Sequence, residues 1–205
     1  MKYMLGIDIG TQSIRACLFD ETGKNICAKT TEQYVRIDHP SWTSQDAGKW
    51  WPIVTESIRA VIRESGVQPA DIVSVGCCAH MHGPVPVDKN GNLLSGDVQL
   101  YCDKRAAGIV EAMEAAAADQ CYAITGNLPS TTWMGFKIKW VRENNPGLYE
   151  KTYRFLAPKD YINCCLTGEF YTDPTEASGT YAMDWQTGEW SDAALALMGI
   201  EKSKL

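Results

Sequence analysis

The sequence predicts an α/β domain in which an antiparallel three-strand meander opens a mixed sheet flanked by helices. Three observations predict it. Residues 3–8, 13–19 and 25–34 are strand-like runs separated by turn residues. The largely apolar run 71–79 comes after a helical pattern, not after another hairpin. Helical stretches and short apolar stretches then alternate to the end, with no internal repeat and no low-complexity linker.

Each element has a local signal. Gly10-Thr11-Gln12 and Glu21-Thr22-Gly23-Lys24 are hairpin-like links. Between them Ile14, Ala16 and Leu18 alternate with Arg15, Cys17 and Phe19, the period of a strand. The Pro-, Ser- and Asp-containing stretch 35–45 reads as a loop. A helix is expected over 46–65, with Trp50, Val54, Ile58, Val61 and Ile62 as its apolar stripe, Asp46 as its cap and Gly66 as its end. Pro52 calls for an irregular first turn. Residues 71–79 read as a buried strand, 83–88 as a short strand and 89–92 as a turn. Helices are expected over 103–118, 137–143 and 156–166. The segment after Phe170 reads as two strand-like pieces around turns, then a helix from about Ser191.

Composition narrows the function. Of 205 residues, 45% are hydrophobic and 21% charged, as in ordinary globular proteins. A net charge of −6 argues against nucleic acid or an anionic membrane surface as partner. No apolar run reaches the roughly 18 residues that a membrane span needs. The eight cysteines lack zinc or C-x-x-C spacing, and two pairs are adjacent. They read as reduced thiols of a cytoplasmic protein.

The first turn carries more chemistry than a hairpin needs. Asp8 ends the first strand, and Gly10, Thr11, Gln12 and Ser13 turn the chain directly into the second. Converging backbone N–H groups in such a turn can cradle phosphate oxygens, with the Thr11 and Ser13 hydroxyls as further donors. Asp8 can hold Mg²⁺ through water, and Arg15 can reach phosphate from the second strand. No Walker-type G-x-x-x-x-G-K-[ST] is present. On the residues alone, a plain hairpin and a phosphate cradle both remain open. His80 and His82 form H-x-H, a metal pair only if a third ligand exists, and none is evident.

Further motifs decide between them by resemblance. Asp8-Ile9-Gly10-Thr11, "SWTSQDAGKWW" (41–51), "AHMHG" (79–83), "YCDKRA" (101–106), "ITGN" (124–127), "APKDYI" (157–162) and "LTGEFYTDPTEASGT" (166–180) resemble, in order, motifs of the N-terminal domain of the FGGY carbohydrate kinases, xylulokinase branch. The resemblance runs over essentially all of residues 1–205. It implies an actin-like, ribonuclease-H-like fold. It implies phosphoryl transfer from ATP with Mg to a ketopentose-like sugar or a polyol. Met81 and His82 would line the sugar pocket, Asp103 would accept hydrogen bonds from sugar hydroxyls, and Arg105 would sit nearby. Asp8, Gly10, Thr11, Gln12 and Ser13 would approach the transferring phosphate and its metal. Tyr101-Cys102 replaces the family's Trp-Asn and His80 its Gln, so the sugar itself is open.

The resemblance implies that the family's catalytic Asp and adenosine site would lie in segments past residue 205. The chain alone is therefore expected to be inactive, and its partner is the C-terminal domain of the same protein. An apolar face and self-association, as a homodimer for instance, are expected where that domain would sit. The rival reading is a non-catalytic sugar- or nucleotide-binding regulatory module on the same fold. Asp173 is expected to be structural, and Lys159-Asp160 a helix start with a salt link.

Overall fold

The computed structural model describes residues 1–205. The opening meander forms as expected: β1 (Tyr3–Ile9), β2 (Ser13–Asp20) and β3 (Asn25–Glu32) pair antiparallel in sequence order. Their alternation sends Leu5, Ile7, Ile9, Ile14, Ala16 and Leu18 into the core. The second link is held by Asp20, whose carboxylate accepts from the Thr22 hydroxyl at 2.6 Å and from the amides of Thr22 and Lys24.

The stretch read as a loop instead holds two short strands, β4 (Arg36–His39) and β5 (Trp42–Asp46). Tertiary pairing with β8 (Asp97–Gln99) makes β5 a strand, which local composition did not announce. Asp46 is a cap, as expected, but the turn it caps is a separate 3₁₀ turn, Ala47–Lys49. Helix α1 (Trp50–Ser65) takes over from there, with Pro52 in its first turn, where no N–H is needed. Gly66 ends it in the left-handed conformation, φ 70°.

Strand β6 (Ile72–Ala79) returns parallel to β1 and closes the sheet order β3-β2-β1-β6. It is not buried, contrary to the sequence reading. Val75 lies beside Leu5 and Cys77 beside Ile7, on the face toward α1. Yet α1 packs over β2 and β3, so Val73 and Val75 stay 57% and 49% exposed. The outer edge of β6 also carries no strand.

The rest of the chain packs on from this sheet: Val85, Val87, Leu156 and Ile162 share one core with Ile7, Ile9, Ile14, Trp50 and Val54, and a further core gathers Phe136, Ile138, Tyr149 and Tyr181. Strand β7 (Val85–Val87) pairs with β9 (Arg154–Leu156). Around them stand α2 (Ala107–Thr125), α3 (Met134–Asn144), α4 (Pro146–Lys151), α5 (Pro158–Thr167), α6 (Pro174–Gly179) and α7 (Asp192–Met198). Helix α2 starts four residues later than the sequence suggested, because Asp103 organises a turn ahead of it. Helix α6 replaces an expected strand. Asp173 caps it by accepting from the amides of Thr175 and Glu176, so this acid is structural, as expected. Lys159 links Asp160 to Asp173. All eight cysteines are free thiols, and no helix is long and apolar enough to cross a membrane.

Candidate functional site

The parallel pairing of β1 with β6 brings the two sequence motifs together. Ile9 registers with Ala79, and the His80 amide donates to the Ile9 carbonyl at 2.8 Å. The Gly10–Ser13 turn and Met81-His82 therefore leave the sheet at the same carboxyl edge.

At the turn, the Gly10 amide donates to the Ser13 carbonyl at 2.9 Å. Asp8 and Arg15 face each other across β1 and β2, both exposed. Arg15 donates to the Thr30 hydroxyl. The Asp8 carboxylate accepts only a weak Cys78 thiol contact at 3.4 Å. No cluster of three or more His, Cys, Asp or Glu groups is present. One exposed, largely free carboxylate fits Mg²⁺ that keeps its waters and phosphate oxygens as its other ligands.

Past β6 the two histidines part ways. His80 packs edge-on against Trp50, ring centroids 5.1 Å apart, and both its ring nitrogens are buried without a partner. His82 packs edge-on against Trp133 at 5.2 Å. The two rings therefore rest against different aromatic neighbours, and the metal pair is set aside. His82 also holds φ 66°, a left-handed conformation that costs a non-glycine residue about 1–3 kcal/mol and is characteristic of functional sites. Its ring lies directly against the backbone of Gly179. Met81 beside it is 52% exposed, open to a ligand.

Asp103 and Arg105 are arranged differently from a free sugar contact. Asp103 is buried and accepts from the Thr43 amide at 2.7 Å, the Arg105 amide at 2.8 Å and the Arg105 guanidinium. Arg105 also pairs with Asp97 and stacks over Trp42 at 4.7 Å and Trp140 at 5.2 Å. The carboxylate partners of this cation are Asp103 and Asp97. Together they brace β5 against the start of α2.

Lys137 escaped the sequence reading. It is fully buried and donates to the Thr132 carbonyl. Its signal was present: Met134, Lys137, Ile138 and Val141 share one apolar helix face, where a lysine is out of place. Burial pushes its ammonium down to about 7, with Asp103 partly opposing the shift. Burial, then the nearby Lys137 charge, pushes both His80 and His82 down to about 4.

These shifts make stability depend on pH. Between the ordinary histidine value of 6.5 and about 4, the unfolded chain binds protons that folded His80 and His82 refuse. Their contribution is complete above that window and is lost as pH falls through it. Asp160 and Glu176, raised by burial, act in the opposite direction. His80→Gln isolates the histidine part. Its urea midpoint should fall less than the parent's between pH 7 and pH 4.5. Equal slopes in the two proteins would contradict the assignment.

An α/β domain whose mixed sheet opens with an antiparallel meander and is flanked by helices has the fold class of actin-like kinase domains. The model of the FGGY family of carbohydrate kinases, N-terminal domain, matches residues 3–205. The chain belongs to this family. It is 30% identical over 201 residues to a xylulose kinase of Escherichia coli strain K12, covering 98% of this chain and 41% of that protein. It is 31% identical over 201 residues to a xylulose kinase of Bacillus subtilis strain 168, covering 98% and 40%. The crystal structure of a xyloylose kinase from Brucella ovis superposes with a TM-score of 0.91 at 28% identity, covering 99% of this chain and 42% of that one. The chain thus spans about two fifths of the length of these curated relatives.

Proposed function

We propose that residues 1–205 are the sugar-binding N-terminal portion of an ATP-dependent carbohydrate kinase acting on a xylulose-type ketopentose or a related polyol. The observation that carries this is the shared carboxyl edge of β1 and β6, where the turn and Met81-His82 meet. Met81 and His82 contact sugar hydroxyls, and the neutral His82 imidazole can donate or accept. Asp103 and Arg105 hold the wall behind them. Gly10, Thr11, Gln12, Ser13 and Arg15 face the transferring phosphate. Mg²⁺ would be held by Asp8 through water and would offset phosphate charge.

Phosphoryl transfer needs acceptor hydroxyl, base and phosphate positioned together. Asp103 is not free to serve as base, since its carboxylate is taken by Thr43 and Arg105. On this reading the base comes from a further domain, as the family resemblance implies, and this chain alone does not turn over. The uncovered edge and face of β6 support that reading, since such an edge asks for cover.

A thermal-shift series with pentuloses, hexuloses and polyols tests the sugar half. A sugar at a hundred times its Kd stabilises by roughly 2.7 kcal/mol, a shift of several degrees. The expected result is a shift with a ketopentose that His82→Asn abolishes while the variant still folds, because asparagine tolerates the left-handed backbone. No shift with any sugar, or one that His82→Asn leaves intact, contradicts the assignment.

A further inference from the structure

The turn between β1 and β2 is held from behind by two glutamines that lie outside its own motif. The Gln33 side-chain amide donates to the Gly10 carbonyl. The Gln45 side-chain amide donates to the Thr11 carbonyl at 2.7 Å. The Gln33 backbone amide donates to the Gln12 carbonyl at 2.9 Å. Three consecutive carbonyls of the turn are therefore taken. The amides of Thr11 and Gln12, which lie outside the strands, donate to no backbone carbonyl.

Peptide planarity links these two facts. In a trans peptide the C=O and the following N–H point in opposite directions. Fixing the Gly10 carbonyl aims the Thr11 N–H away from Gln33. Fixing the Thr11 carbonyl aims the Gln12 N–H away from Gln45. Two successive amides held free and aimed outward form an anion-binding concavity.

Gln45 bears a further mark of this role. It is 1% exposed, and its carbonyl oxygen is buried with no partner. A buried unpaired oxygen is unfavourable, so this position is used for its amide nitrogen. The side chain also sits two residues from Thr43, whose amide is held by Asp103. Strand β5 thereby ties the turn to the Asp103–Arg105 brace.

We propose that Gln33 and Gln45 are positioning residues that clamp the turn carbonyls so that the Thr11 and Gln12 amides stay free to receive phosphate oxygens. This rests on the kinase reading of the turn. Each glutamine acts through a different peptide unit, which gives the test its resolution. The probe is inorganic pyrophosphate with Mg²⁺, titrated into the 205-residue chain and followed by the backbone amide resonances of Thr11 and Gln12.

In the parent protein both amides should shift. Gln45→Met, of similar length but without a donor, should weaken binding about tenfold and suppress mainly the Gln12 shift. Gln33→Met should suppress mainly the Thr11 shift. A general loss of structure would move both amides alike and spread through β1 and β2. Should Gln45→Met fail to fold, the half-buried Gln33 site carries the same test for Thr11. Parent-like shifts and affinity in Gln33→Met would then overturn the clamp while leaving the kinase reading in place. Parent-like behaviour in a folded Gln45→Met would do the same. Absence of any amide shift in the parent would overturn the phosphate reading of the turn, and the clamp with it.

Discussion

Asp103→Ala is expected to destabilise the chain by about 3 kcal/mol, the lower part of the range for breaking a buried ion pair. The Asp103 side chain is 0% exposed and the Arg105 side chain 5%. Removing the carboxylate leaves the guanidinium buried between Trp42 and Trp140, with only the half-exposed Asp97 to compensate. It also strips the Thr43 and Arg105 amides of their acceptor. For a chain of this size the loss corresponds to a drop in Tm of roughly 6–12 °C. Arg105→Met in the same background should cost much less than the two single changes added together, because the stranded charge is gone. A sugar-contacting Asp103 with no bracing role would behave otherwise: Asp103→Ala would leave Tm within about 2 °C and remove only the response to sugar. Thermal melts of the two single variants and the double variant, with and without ketopentose, distinguish the cases.

That contrast marks where the sequence could be read and where it could not. The meander was legible because its signals are local: alternation along β2, and turn residues at Gly10 and Gly23. Helix α1 was legible from its stripe and its end at Gly66. Strand β5 was not, since Trp42–Asp46 pairs on one side with β4 and on the other with residues more than fifty positions away. The exposure of β6 was hidden for a related reason. An apolar run implies burial only if something lies over it, and on that face α1 lies over β2 and β3 instead. Among candidate site residues, the turn and the Met81-His82 pair were singled out through short motifs. Lys137 and Gln45 were not, because their meaning depends on which buried neighbours the fold supplies.

Gly179→Ala is the second large effect expected, and its sign is informative. Gly179 closes α6 with no left-handed backbone, so by helix propensity alone alanine would be better by up to about 1 kcal/mol. A Cβ there, however, would meet Cε1 and Nδ1 of the His82 imidazole at a distance no real contact tolerates. His82 has little room to yield. It is 8% exposed, rests against Trp133 and is fixed at φ 66°. Overpacking of this kind costs about 1–3 kcal/mol, which outweighs the propensity gain. The ring can escape only by leaving the place where the sugar reading needs it, so the ketopentose shift should be lost as well. His82→Gly supplies the control, removing the ring and accepting the left-handed backbone without strain. In that background Gly179→Ala should be neutral or stabilising. If Gly179→Ala instead stabilises the parent, or changes both backgrounds equally, the imidazole does not occupy the cradle formed by Gly179 and Trp133. The wall of the proposed sugar pocket would then have to be sought elsewhere along the carboxyl edge of β1 and β6.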